Sequence, residues 1–220
     1  MSQSDPNENH EVQIIQVGSE NMAQTQSLFY NAYLETDIAR TLLRAGKRGY
    51  EQRLRGFIRE TLIHHYNSAN ISLAMVKDDQ IIGAAMVSRA NCASNFISSW
   101  RWRLGMYSVA GVVTTERIRS YYKDVQDILS DVDSYWISLK AFRPENQQSG
   151  GGRILLRAVH DRCELDPSFK GIGIDVSKPE LKTFFESEGY TKMGEVKVGN
   201  KLTASILYHP RAGTEVPAEM

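Results

Sequence analysis

The sequence predicts a mixed α/β fold, with a partly antiparallel central sheet flanked by helices. Three observations carry that prediction. First, residues 71–76 and 81–87 are strand-like runs around the polar turn Lys77-Asp78-Asp79-Gln80, which has the length and chemistry of a hairpin. Second, the strand-like run Tyr135–Phe142 passes through a glycine-rich turn into a helical run starting at Ile154. Third, another strand, Gly171–Val176, leads into a helix at Pro179–Ser187. Hairpins give antiparallel neighbours and strand–helix–strand units give parallel ones, so a single sheet has to hold both.

The other elements follow in chain order. Residues 12–17 alternate well enough for a first strand. Ser19 opens a helix with Met22, Leu28, Phe29, Ala32 and Tyr33 on its inner face, and residues 37–43 form a second helical region. In Tyr50–Tyr66 the residues Leu54, Phe57, Ile58, Leu62 and Tyr66 recur at helical spacing among Arg, Glu and Gln, which describes a surface helix with one buried stripe. His64 and His65, adjacent on that helix, read as structural. Residues 91–112 show no clear period; Trp100, Trp102 and Tyr107 interleave with Arg101 and Arg103, which reads as core packing with exposed arginines. Helical spacing returns over residues 115–129. Pro179 suits a first helical turn and Gly189 a helix end. Gly199-Asn200 marks the turn of a closing hairpin that ends at Leu207-Tyr208. Residues 1–10 read as a polar, disordered tail, residues 11–209 as one domain, and residues 210–220 as a loose C-terminal tail.

Composition narrows the function classes. The 220 residues suit one domain with a real core. Lys and Arg number 26, as do Asp and Glu, so the chain lacks the basic excess of a general nucleic-acid binder. The two cysteines, Cys92 and Cys163, have no metal-like spacing and make no disulfide framework, which implies reduced thiols in a cytoplasmic setting. Residues 1–10 have neither a basic nor an apolar region of a secretory signal, and no apolar run reaches membrane-spanning length, so no membrane partner is expected. No His/Cys/carboxylate set has metal spacing, so no metal is expected.

The chemistry concentrates in the stretch of residues 144–153, Pro-Glu-Asn-Gln-Gln-Ser-Gly-Gly-Gly-Arg. Strand, glycine turn and helix together make a phosphate site from backbone. Glycine lets the chain turn at positive φ and come close to an anion, and the helix offers its N–H groups and the positive end of its dipole. Arg153 adds a mobile cation at the helix start. Three glycines in a row also suit a plain flexible connector, and the ordered runs on both sides argue against that. The lysine and hydroxyl of a P-loop are missing, since Arg153-Ile154 follow Gly152.

Element order and two motifs resemble the GNAT N-acyltransferase superfamily. Pro144, Gln147, Gly150 and Gly152 match its strand-then-Pro-x-x-Gln-Gly-x-Gly-x-Gly signature, with Gln148 in place of the first glycine and Ser149 and Gly151 in the variable places. Phe184-Phe185-Glu186-Ser187-Glu188-Gly189-Tyr190 is similar to the second signature, a helix ending in Phe/Leu-Tyr-Glu-x-x-Gly-Phe before a closing strand. The long helix before the hairpin and the Tyr135-Trp136 entry resemble the puromycin-acetyltransferase-like branch. The resemblance implies an acyl-CoA-dependent N-acyltransferase, with acetyl-CoA as co-substrate and a primary amine attacking the thioester directly in a ternary complex. Through that branch it implies small amines rather than proteins as acceptors, and it allows a homodimer. It implies that the N–H groups of Gln148, Ser149, Gly150, Gly151, Gly152 and Arg153 hold the pyrophosphate, with Gln147 shaping the turn. The pantetheine arm would pair with Ala141, Phe142 and Arg143, and an N–H near Phe142 would face the thioester carbonyl. The acceptor would enter between the N-terminal helices and the closing hairpin.

One departure affects the chemistry. In most of the family a tyrosine in the second motif protonates the leaving thiolate; here that place is Phe185, while Lys178 and Leu181 stand where the family has asparagines. Three readings stay open. Tyr190, Ser138 or water donates the proton; or transfer proceeds without a side-chain acid, since such an acid contributes about 10²–10⁴-fold; or the fold binds acyl-CoA as a non-catalytic or partner-binding module. Asp175, near the end of a strand beside the acyl site, is the candidate base, with capping of the following loop as its structural alternative. His160 reads as facing outward, Glu186 as a solvated helix residue, and Cys163 as a small apolar core residue.

Overall fold

A computed structural model describes residues 12–68, 70–89, 99–130, 132, 134–143, 150–200 and 202–214. Strand β1 (Gln13–Gln16) is followed by a 3₁₀ turn at Ser19–Asn21 and helices α1 (Met22–Tyr33), α2 (Asp37–Leu42) and α3 (Tyr50–Tyr66). Strands β2 (Ile71–Lys77) and β3 (Gln80–Arg89) form the hairpin. Its turn is shorter than the sequence suggests: only Asp78 and Asp79 lie outside the strands, both at positive φ, 51° and 58°. That is the mirror-image turn whose twist matches paired strands, and Asp tolerates it. Then come α4 (Trp100–Ala110), α5 (Val112–Ile128), β4 (Tyr135–Phe142), α6 (Gly151–Glu164), β5 (Gly171–Val176), α7 (Pro179–Ser187), β6 (Thr191–Val198) and β7 (Leu202–Pro210).

The seven strands lie in the order β1-β2-β3-β4-β5-β7-β6, and every neighbouring pair is antiparallel except β4–β5. The sheet separates two cores. One holds Phe29, Leu54, Ile58, Leu62, Trp102, Met106, Ile118 and Tyr121 from helices α1 and α3–α5, packed on Trp136, Leu139 and Ala141 of β4. The other holds Leu155, Leu156, Val159 and Cys163 of α6 and Phe185 of α7, packed on Tyr135 and Ile137 of β4 and on the even-numbered residues Ile172, Ile174 and Val176 of β5. The segment without clear periodicity contains helix α4, whose Trp102 is buried while Trp100 is exposed. Arg103 is bonded rather than simply exposed: its Nη2 donates to the Tyr107 hydroxyl at 3.1 Å.

Strand β4 changes phase at its centre. Val87 pairs with Ile137 and Met86 with Leu139, so Ser138 is an extra residue, a β-bulge, with its Oγ donating to the Met86 carbonyl at 3.0 Å. Before the bulge Trp136 faces the α1–α5 layer; after it, Leu139 and Ala141 do. A bulge also increases local twist. Beyond Trp136↔Gly173, the second of only two β4–β5 pairs, the parallel strands part.

Beyond the domain boundary read at residue 209, β7 continues to Pro210, and Arg211 is tied down by a 2.8 Å N–H bond to the Lys170 carbonyl and an ion pair with Glu164 at 3.0 Å. Residues 1–11 and 215–220 and Cys92 lie outside the described residues.

His65 is 3 % exposed, with Nε2 3.1 Å from the Ile71 carbonyl, and burial pushes its pKa down from 6.5 to about 4. Between those values the unfolded chain binds a proton that the native state refuses, so stability rises with pH and falls on acidification from 6.5 to about 4. The loss is expected to approach about 3 kcal/mol. Urea titrations at neutral pH and at pH about 4, on the protein and on His65→Gln, measure it; equal acid sensitivity in both would refute the assignment.

Candidate active site

Where β4 and β5 part, a cavity of about 630 Å³ runs through the sheet from one helical layer to the other. Ser138, Lys140, Ala141 and Phe142 of β4 and Ile174, Asp175 and Val176 of β5 form its waist. On one side stand α1, α2, α3 and α5; on the other, the start of α6 with Gly152 and Leu155, and α7 with Phe184 and Phe185.

The glycine turn opens on the α6 side. Gly150 sits at φ 76°, in the left-handed region, and α6 begins at Gly151. Arg153 N–H closes back on the Gly150 carbonyl at 3.0 Å, which leaves Gly151 and Gly152 as the helix's leading N–H groups. A Cβ built on Gly150 or Gly152 would meet no atom of the described residues within 4 Å. The positive end of a 14-residue helix, with no described residue crowding Gly150 or Gly152, fits an anionic group such as a diphosphate. Pro144, Gln147, Gln148 and Ser149 lie outside the described residues. Arg153 is not the free cation read from the sequence: Nε is bonded to Glu188 Oε1, and the guanidinium lies over the Phe184 ring at 5.8 Å. An opposite charge on the neighbouring helix end captures it.

Backbone polarity at the waist is laid out by the bulge. The Arg143 N–H donates to the Ile82 carbonyl of β3 at 2.8 Å, whereas the Lys140 N–H donates away from the sheet, to the Tyr33 hydroxyl at 3.2 Å. The Arg143 side chain also turns to β3, with Nε 3.0 Å from the Ile81 carbonyl. Alternation along the strand puts the Phe142 N–H on the same side as that of Lys140.

Four side chains meet at this point. Asp175 Oδ2 accepts from the Tyr121 hydroxyl at 2.6 Å; Lys140 Nζ donates to the Asp175 carbonyl at 3.0 Å and lies 3.6 Å from its Oδ1. Tyr33 completes the group through the Lys140 N–H. Burial, and after it the Asp175 charge, hold the Tyr121 hydroxyl well above its ordinary pKa; burial and, more weakly, Asp175 also raise that of Tyr33. Both phenols therefore stay protonated. Burial lowers the Lys140 pKa from 10.5, and Asp175 opposes that shift. Asp175 is thus an ion-paired carboxylate facing the cavity. The capping alternative is not seen: the N-cap of α7 is Lys178, with no side-chain cap bond.

The two residues read from sequence as proton donors sit differently. Ser138 lines the waist but donates to β3. Tyr190 is buried outside the cavity lining, packed edge-to-face against Phe185 at 5.2 Å between ring centres, its hydroxyl 3.0 Å from His160 Nε2. Burial, reinforced by His209, pushes the His160 pKa down to about 4. His160 therefore faces inward, against Tyr190 and His209, and not outward, because the aromatic end of β7 gives it a packing surface. Phe185 does line the cavity. The sequence reading missed Lys140, Tyr121 and the chemical position of Tyr33. A lysine inside an otherwise apolar strand was the available signal for the first; Tyr121 and Asp175 meet across 54 residues, which no local pattern reveals.

Among the described residues no group of His, Cys, Asp and Glu could hold a metal ion, and no helix is long and apolar enough to cross a membrane.

Solved structures share this fold. No protein-family model and no curated protein matches the sequence. Among solved structures, the chain is similar to the polyamine N-acetyltransferase of Drosophila melanogaster that forms N-acetylagmatine, at TM-score 0.61 and 11 % identity, covering 90 % of this chain and 98 % of that one. It is also similar to the histone acetyltransferase and related acetyltransferase of Corynebacterium glutamicum, at TM-score 0.64 and 13 % identity over 93 % and 99 %. A third is described as an acetyltransferase of the GNAT family from Desulfovibrio desulfuricans, at TM-score 0.55 and 14 % identity over 92 % and 100 %. The chain shares the fold of these acetyltransferases.

Proposed function

We propose that the protein is an acyl-CoA-dependent N-acyltransferase, using acetyl-CoA to acylate a small primary amine in a ternary complex. The observation that supports this most is the cavity through the sheet, with a helix N-terminus on one face and the Tyr33–Lys140–Asp175–Tyr121 group at its waist. Gly151 and Gly152, with the preceding turn, hold the diphosphate, and the β4 edge at Ala141, Phe142 and Arg143 aligns the pantetheine arm. The Phe142 N–H points toward the thioester carbonyl and stabilises charge that builds on its oxygen, while the Lys140 N–H holds the Tyr33 hydroxyl. Asp175 takes the amine's proton. The bound co-substrate supplies the activated acyl group. The acetyl chain length and the kinship with the puromycin-acetyltransferase-like branch form part of this reading and rest on the sequence motifs.

Phe185 has no proton to give; of the phenols lining the cavity, Tyr121 is committed to Asp175, and Tyr33 has its hydroxyl at the β4 backbone in the gap. Its hydroxyl accepts the Lys140 N–H, keeps its own hydrogen for donation, and stays protonated in its buried setting. Tyr33 is therefore the proton source for the departing thiolate in this reading. Tyr33→Phe is expected to lower kcat by about 10²-fold with coenzyme A affinity unchanged. Stopped assays of free thiol release, with calorimetry of coenzyme A, measure both. Full activity in Tyr33→Phe removes this role. Tight coenzyme A binding with no thiol release from any amine favours the binding-module reading, which the loss of the usual acid at Phe185 supports.

A further inference from the structure

The wall facing the N-terminal helices is mainly apolar and, among the described residues, carries no charged side chain. Ile38 and Leu42 of α2, Leu43, Phe57 of α3 and Ile118 of α5 line it. Of the polar groups near it, Thr36 Oγ1 donates to the Tyr33 carbonyl at 3.1 Å, Tyr121 to Asp175, and the Tyr33 hydroxyl receives the Lys140 N–H; Tyr122, packed edge-on against Tyr121, adds a neutral phenol. Among the described residues lining the cavity, the charged side chains are Lys140 and Asp175 at the waist and Lys178 and Glu180, both exposed, at the start of α7 on the opposite face. An amine nitrogen at Asp175 therefore leaves the rest of its molecule against hydrocarbon, with the Lys140 ammonium already beside the waist.

From this lining we infer that the acceptor is a monoamine with an apolar body, alkyl or aryl-alkyl, and not a di- or polyamine. The inference rests on the transferase reading above. A second cation placed among Ile38, Leu42 and Ile118 would lose its water without gaining a partner, whereas an apolar body gains from leaving water. The cavity, about 630 Å³, falls in the range typical of small-molecule sites, and it also has to admit the acyl end of the co-substrate, which keeps the acceptor small.

The test compares hexylamine and phenethylamine with agmatine and spermidine, by thiol release from acetyl-CoA and by calorimetric binding of each amine to the protein saturated with coenzyme A. Monoamines are expected to exceed the polyamines by roughly 100-fold or more in kcat/KM and to bind more tightly. Ile38→Glu places a carboxylate in the wall at a half-buried position, and is expected to shift the ratio toward agmatine by roughly tenfold or more, with coenzyme A affinity unchanged. Agmatine or spermidine matching the monoamines in the unmodified protein overturns the inference, as does binding of neither class. Selective monoamine binding without thiol release sustains the acceptor chemistry and sinks the transferase reading instead. An unchanged ratio in Ile38→Glu overturns the assignment of that wall to the acceptor.

Discussion

Gly152→Asp is expected to remove coenzyme A binding while leaving the fold intact. A Cβ at position 152 meets no atom of the described residues within 4 Å, the residue lies in the first turn of α6, and its backbone is not in the left-handed region. A carboxylate near a helix N-terminus is, if anything, favourable to the helix. The same charge faces the diphosphate. Two unit charges at 4 Å repel by about 4 kcal/mol at an effective dielectric near 20, so a loss of roughly 10²–10³-fold in affinity is expected. Gly150 is the poorer position for this experiment, because φ 76° makes any side chain there strained. Calorimetry with coenzyme A and a thermal melt together decide the matter: an unchanged Kd with an unchanged melt would take the diphosphate away from this turn.

Asp175→Asn is expected to act on activity and stability together. Loss of the base should lower kcat/KM by about 10²-fold with coenzyme A still bound. The same change leaves the Lys140 ammonium, 28 % exposed, without its carboxylate, at a cost of about 1–3 kcal/mol at neutral pH. Lys140 has a folded pKa below the 10.5 of the free amine, so in that window the unfolded chain holds the extra proton and stability rises with pH. Removing Asp175 takes away the interaction that opposes the lowering, so the window widens downward. The stability gap between the variant and the parent protein should therefore narrow as pH rises toward 10.5, where Lys140 is neutral in both. Urea titrations across that range read it. A gap that stays constant, or a fully active variant, would exclude Asp175 from the role assigned to it.

Much of the architecture was readable because local chemistry and tertiary placement agree. Tyr50–Tyr66, Tyr135–Phe142, Gly171–Val176 and Pro179–Ser187 occupy the spans that periodicity and end signals give. Helix α4 was opaque because large apolar residues also lie off its buried face: Trp102, Met106 and Ala110 make one buried stripe, while Trp100 and Leu104 are exposed and blur the period. The site was half legible. A glycine turn before a helix announces itself in consecutive residues, and Gly150 and Gly152 behave as that pattern requires. The group at the waist does not, because Tyr33, Tyr121, Lys140 and Asp175 come from four elements, and only the parting of β4 from β5 makes them neighbours. Tyr33 in particular satisfies the helical pattern of α1 as a core residue while its hydroxyl ends in the gap.

The extra residue at Ser138 means that β4 behaves as two short strands written in different reading frames. Tyr135, Trp136 and Ile137 form the first, which fastens the two helical layers to the sheet and touches β5. Leu139 to Phe142 form the second, shifted by one position, and there Lys140, an otherwise improbable residue for a central strand, reaches Asp175. Within the second half, Leu139 and Ala141 still face the core, so it is at Lys140 and Phe142, on the alternate positions, that substitutions can retune the chemistry without disturbing the joint made by the first. A single inserted serine thus divides one strand into a structural part and a part free to specialise.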